Sequence, residues 1–249
     1  MPPTTRRARQ REATLAEVKA TARALLVRSG PEALTLRATA REMGLTAPAL
    51  YRYVAGHEDL VAAVCQDVLD EVTAALETAR DTEPLTDPVA RLMAACRAFR
   101  AWALAHPREF QLTFASVAER PPLGHGAVGA SISFGAVFLG IFLEIWERQP
   151  FPVPPAEALP PDLVSQLEVF AAATATGLPT GALVAYLGGW VRLYGSVTLE
   201  VFGHLGFALS DAEALFEAML ADMRAQLSAT AGSAPPTGRR QPGPAPARR

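Results

Sequence analysis

A chain of 249 residues can bury a substantial core, either as one long domain or as a small domain joined to a larger one. Its 25 acidic and 23 basic side chains nearly balance, but residues 1–60 hold ten basic groups against six acidic ones, which is typical of a nucleic-acid-binding head on an acidic body. Two cysteines and four widely spaced histidines exclude a disulfide framework and a zinc site.

Residues 1–11 are rich in arginine, and no apolar run follows them. A secretory signal needs such a run, so we expect a cytoplasmic protein. We predict that this segment is a flexible basic N-terminus in front of the first helix.

Helical periodicity runs from residue 12 to residue 228 without sustained alternation of apolar and polar residues, which predicts an all-α fold. The first predicted helix spans residues 12–29 and ends at Gly30-Pro31. Thr35 is a candidate cap for a helix over 36–43, and Thr46 for one over 47–53. Pro48 in a first helical turn is acceptable, because its missing N–H would have no intrahelical partner there.

Residues 35–54 have the layout of a helix-turn-helix, with a glycine turn between two short helices whose apolar residues face inward. The second helix of such a unit enters the major groove of DNA. We therefore assign residues 12–56 to a DNA-binding domain and residues 57–228 to a body that binds a ligand and dimerises.

The body begins with a long helix at His57, which connects it to the head. Further helices are predicted from residue 89, from Pro107, and over 131–148, 161–176, 181–206 and 210–228. Six prolines within 149–161 predict either an ordered extended connection or a mobile loop. Residues 229–249 carry no large apolar side chain and are predicted to be disordered.

Two uncharged stretches, residues 127–143 and 169–191, approach the length that spans a bilayer. Neither is flanked by the lysine and arginine cluster that anchors a spanning helix, so we interpret both as buried core helices and expect no membrane partner.

The head resembles the TetR family of transcriptional regulators. The resemblance rests on the segment 36–53, which ends Leu50-Tyr51-Arg52-Tyr53, and on the link Ala55-Gly56-His57-Glu58-Asp59-Leu60 that follows it. The segments Gly189-Trp190, Leu193-Tyr194-Gly195, Leu199-Glu200 and Phe202-Gly203-His204 resemble the C-terminal domain of one TetR subgroup, described by its Trp, His and Gly. The resemblance implies a three-helix head joined by a long fourth helix to a helical sensor body.

Site residues follow from this resemblance. The DNA-binding positions are Thr35, Arg37, Thr46, Ala47, Pro48, Tyr51, Tyr53 and His57. Most relatives have a lysine where this chain has His57. The residues expected around an apolar or aromatic effector are Phe99, Trp102, His106, Phe110 and Phe138. Two apolar stripes predict the dimer interface, with Leu187, Trp190, Tyr194, Phe216, Met219 and Met223 as its residues.

These features predict a homodimeric repressor that binds a palindromic operator and is released by a small effector, without a cofactor or metal. The alternatives are an activator of the same fold, a helical membrane-associated protein and an enzyme. The sequence contains no phosphate-binding loop, nucleophile elbow or paired carboxylates, which argues against the enzyme.

Overall fold

The computed structural model describes residues 5–115 and 125–229, and within these ranges the chain is helical without any strand. The all-α prediction is therefore confirmed. The helices are α1 Arg6–Ser29, α2 Leu36–Glu42, α3 Ala47–Leu50, α4 His57–Thr82, α5 Pro88–Ala105, α6 Pro107–Phe110, α7 His125–Arg148, α8 Pro161–Thr174, α9 Thr180–Val201 and α10 Glu213–Leu227. A π-helical turn, Gln111–Ala115, continues α6.

α1 begins six residues earlier than the sequence predicted. The Thr5 hydroxyl caps it by accepting a hydrogen bond from the Ala8 N–H at 3.2 Å, so the arginine-rich segment from Arg6 is helical rather than flexible. The apolar period starts only at Leu15, because the first turns of α1 are exposed on all sides, and periodicity cannot locate such a start. α1 ends as predicted at Gly30, where φ is +85°.

α4 forms the centre of the molecule and joins the head to the body. It packs against α1 on the head side and against α5 and α7 in the body. The buried side chains of this core come mainly from three helices: Val64, Val68, Val72 and Leu76 of α4, Met93, Phe99 and Ala103 of α5, and Phe138, Ile141 and Ile145 of α7. Both cysteines are buried among them as free thiols.

The proline-rich connection 149–160 is ordered. Phe151 is buried and meets the ring of Phe142 edge-on, with centroids 5.8 Å apart. The Pro154 carbonyl lies against Gly181 in the first turn of α9, where a Cβ atom would collide with the carbonyl oxygen. Of the two predicted possibilities, the ordered one is therefore correct.

The uncharged stretch 169–191 is divided between two helices. α8 ends at Thr174, Ala175 has a left-handed backbone with φ of +50°, and α9 starts only at Thr180. No helix in the described part of the chain is long and apolar enough to cross a membrane. α9 ends at Val201, five residues before its predicted end, and the predicted tail lies outside the described residues from residue 230 onward.

Candidate DNA-binding face and effector cavity

The helix-turn-helix is built from local signals. The Thr35 hydroxyl caps α2 by accepting a hydrogen bond from the Ala38 N–H at 3.1 Å. Gly44 makes the turn with φ of +66°, a value that favours glycine. Leu50 is completely buried against this unit, so α3 is seated by its apolar side and its opposite side faces outward.

The predicted DNA-binding residues lie at the start of α2, along α3 and the turn after it, and at the start of α4. Thr35, Arg37, Thr46, Pro48, Tyr51 and His57 are exposed, and Ala47 and Tyr53 are half-buried. The Thr46 hydroxyl makes no capping bond to α3, so it is free to meet a phosphate. Six of the eight residues are therefore accessible from solvent, and the other two are partly accessible.

The cations of residues 12–56 fall into two groups. One group pairs with acids of the same chain: Lys19 with Asp67, Arg23 with Glu71, and Arg28 with Glu42. The other group is Arg37, Arg41 and Arg52, which are exposed and have no acidic partner among the described residues. Cations without intramolecular partners keep their charge available for phosphates or guanine edges.

A polar junction connects the head to the body. Arg23 of α1 binds Glu71 of α4 through two nitrogens and reaches the buried Glu109 of α6 through Nε at 3.3 Å. Glu71 also accepts the indole N–H of Trp102 at 2.9 Å, so α1, α4 and α5 meet at this carboxylate, and α6 joins them through the bond between Arg23 and Glu109. The Arg23 hydrogen bond holds the pKa of Glu71 below its ordinary value.

The residues predicted to contact an effector form an aromatic core instead. Phe99 and Phe110 are completely buried, Phe138 and Trp102 nearly so, and His106 stacks on Trp102 with centroids 4.8 Å apart. Phe99 touches four neighbouring phenylalanine rings at 5.5 to 6.4 Å. These side chains pack against one another, and within the described part of the chain Phe138 also borders a narrow cavity of about 40 Å³.

A larger cavity of about 340 Å³ lies beside this core. Its walls come from α4, the π-helical turn, α7, α8 and α9, and the residues that line it are Leu69, Thr113, Phe114, Phe134, Gly135, Phe170, Tyr186, Leu187, Trp190 and Tyr194. None of the five predicted effector residues is among them. Aromatic content alone did not distinguish a cavity wall from a filled core.

The polar groups of this cavity are hydroxyls. Thr113 and Tyr186 each contribute one, and burial raises the pKa of Tyr186 to about 12, which keeps its phenol neutral. The Tyr194 hydroxyl donates to the Phe114 carbonyl and so links α9 to the π-helical turn. Because no charged side chain lines the described walls, a charged ligand would be desolvated there without a counter-ion.

Two family models match this chain. Bacterial regulatory proteins of the tetR family match residues 20–64, which contain the helix-turn-helix. The tetracyclin repressor-like C-terminal domain matches residues 92–223, more than half of the chain, including the segment around Trp190 and Tyr194. The chain belongs to the TetR family. It is therefore a DNA-binding transcriptional regulator, not an enzyme.

Individual TetR relatives agree with this assignment. The HTH-type transcriptional regulator Rv1816 of Mycobacterium tuberculosis is 27% identical over 215 residues, which cover 84% of this chain and 89% of the relative. The solved structure of regulatory protein SCO4313 is 27% identical, has a TM-score of 0.69, and covers 88% of this chain and 98% of its own. RolR, solved with its ligand resorcinol, shares the fold at 17% identity with a TM-score of 0.54, covering 89% of this chain and 96% of its own.

The six residues predicted at the TetR dimer interface lie mostly inside the single chain. Phe216 is 1% exposed beneath the Arg100 guanidinium, and Met223 is buried against Gly189. Trp190 and Tyr194 line the cavity, with their rings 5.6 Å apart. Leu187 also lines it, and Met219 is half-buried against the core. Phe216 and Met223 are therefore core residues of the subunit, with almost no surface left for a partner.

α9 carries a different apolar surface toward solvent. Val191 is 68% exposed and Leu199 42% exposed. Gly188 and Gly195 occupy the same side of the helix, and a Cβ atom at either would meet nothing within 4 Å. The apolar stripe predicted from the sequence did not contain Val191 or Leu199, although Gly188 and Gly195 were expected to let helix backbones approach closely.

Proposed function

We propose that this TetR-family chain is a repressor that binds a palindromic operator as a dimer and releases it when a small neutral effector occupies the 340 Å³ cavity. The observation that carries the proposal is the presence of exposed hydroxyls and unpaired guanidinium groups on α2, on α3 and in the turn after α3. A single α3 reads too few base pairs for specific regulation. Two copies roughly 34 to 36 Å apart would occupy successive major grooves.

The dimer is proposed to form through the α9 surface that carries Val191 and Leu199. Partner helices can approach Gly188 and Gly195 closely, because these glycines leave open space. α10 runs beside α9, and two such pairs related by a two-fold axis would bury the exposed apolar side chains in a four-helix arrangement.

The effector is proposed to act through the polar junction. Leu69 lines the cavity and lies two residues before Glu71 on α4. Thr113 and Phe114 also line the cavity, and their π-helical turn continues α6, which carries Glu109. Both acids bind Arg23 of the head helix. A ligand that favours another placement of α4 and the π-helical turn would therefore displace α1 and change the spacing of the two heads.

Selection of DNA by the purified protein from a random pool tests this function. We expect a palindrome whose half-sites lie one helical turn apart, and we expect the same DNA to silence a reporter when placed over its promoter. Enrichment of no common sequence would contradict the proposal. Higher reporter expression in the presence of the protein would show that it acts as an activator and not as a repressor.

A further inference from the structure

The first turn of α3 has an apolar surface at the position that faces DNA. Ala47 and Pro48 begin the helix, and Pro48 is exposed. Neither side chain carries a hydrogen-bond donor or acceptor, and Pro48 also lacks a backbone N–H. These two side chains cannot read a base through hydrogen bonds.

Tyr51 extends this apolar surface. It lies three residues after Pro48 and four after Ala47, so the three side chains share one side of the turn, and Tyr51 is 56% exposed. The Thr46 hydroxyl and the guanidinium groups of Arg37 and Arg52 are exposed on the same helix-turn-helix. The exposed surface of the unit therefore combines an apolar patch on α3 with hydroxyl and guanidinium groups.

The chemistry of the major groove limits what such a patch can recognise. Guanine, adenine and cytosine present hydrogen-bonding groups there, and thymine alone adds an apolar group, its C5-methyl. We propose that Ala47, Pro48 and Tyr51 read thymine methyl groups, so that each operator half-site has thymine at the one or two positions beneath the first turn of α3. This inference rests on the proposed operator binding and deepens it by naming the bases.

Removal of the methyl group alone tests the inference. Each thymine of the selected half-site is replaced in turn by deoxyuridine, which keeps every hydrogen bond and loses only the C5-methyl. We expect one or two positions per half-site to weaken binding about fourfold, the effect of one buried methyl-sized group, and the remaining positions to change it little. At those positions 5-methylcytosine should bind more tightly than cytosine, because it restores the methyl group.

Protein variants assign the effect to α3. Pro48→Ala and Ala47→Gly each remove apolar surface, and we expect the thymine-to-uracil ratio to fall toward one at the position that each residue covers. Arg52→Ala is the matched control, because loss of a cation should weaken the thymine and uracil operators by the same factor.

The outcomes separate this inference from the proposed function. A protein that selects an operator but binds its thymine and uracil forms equally at every position overturns the methyl readout and leaves the regulator intact. The methyl readout is also overturned if Pro48→Ala and Ala47→Gly both keep the full thymine-to-uracil affinity ratio. A protein that selects no sequence overturns operator binding and the inference together.

Discussion

Arg23 of α1 and Glu71 of α4 form a two-point ion pair, with 2.5 Å between Nη1 and Oε2 and 3.2 Å between Nη2 and Oε1. The same guanidinium satisfies Glu109, which is 4% exposed. One side chain of the DNA-binding head thus neutralises two carboxylates of the body. The position of the head is therefore tied to the body by charge as well as by apolar packing.

Arg23→Met should destabilise the protein, because it leaves the buried Glu109 without a cation. We expect the free energy of unfolding to fall by about 2 kcal/mol, the order of a lost charged hydrogen bond at a buried group. Urea unfolding measures it. Arg28→Met is the matched control: its pair with Glu42 is exposed, so the loss should stay below about 1 kcal/mol. Equal losses in the two variants would contradict a special role for Arg23.

The pH dependence of stability should report the same ion pair. The pKa of Glu71 is lowered in the folded chain, so its contribution is present above the ordinary value of 4.5 and is lost as the pH falls below it. The free energy of unfolding should therefore fall less steeply with decreasing pH for Glu71→Gln than for the unmodified chain. In an Arg23→Met background, the substitution should no longer change the slope. A slope difference that survives there would assign the shift to another group.

Filling the cavity should separate effector response from DNA binding. Gly135 lines the cavity, and a Cβ atom at this position meets nothing within 4 Å, so Gly135→Leu can place its side chain in the ligand space. We expect this variant to bind the operator and to resist release by those small neutral aromatic compounds that release the unmodified chain. Gly140→Leu, on the same helix and equally open at Cβ, should respond like the unmodified chain. Fluorescence anisotropy of labelled operator measures both, and identical responses would place the ligand elsewhere.

A charge on the exposed side of α9 should break the proposed dimer. Val191→Glu should give a monomer by light scattering with unchanged helicity, because Val191 is exposed in the single chain. Leu85→Glu introduces the same charge at an apolar residue that is 70% exposed in the turn between α4 and α5, and should remain dimeric. A Val191→Glu protein that remains dimeric would show that the dimer interface lies on another surface.

The head could be predicted from sequence because its signals are local. The Thr35 cap, the Gly44 turn and the buried Leu50 each act within a few residues of their own position, and all three occur as expected. The start of α1 was predicted too late for a related reason, since the exposed turns after Arg6 carry no apolar period.

The site residues of the body were predicted less well, because the surroundings of each side chain depend on residues that are distant in the sequence. The stripe that contains Trp190 and Tyr194 was correctly identified as apolar, but periodicity does not tell whether a partner, the core or a cavity covers such a face. Phe99 and Phe114 illustrate the same limit: their rings touch, yet only Phe114 lines the cavity. Cavities form where side chains from several helices fail to fill space, which no single segment encodes.

The close approach of Pro154 to Gly181 has a consequence for comparing relatives. Any side chain at position 181 would collide with the backbone of the proline-rich connection, so a homologue with another residue there must route this connection differently. Glycine at position 181 therefore identifies the homologues whose proline-rich connection can be aligned to residues 149–160 without a gap. Outside that subset, the length and course of the proline-rich connection before α8 should be expected to differ.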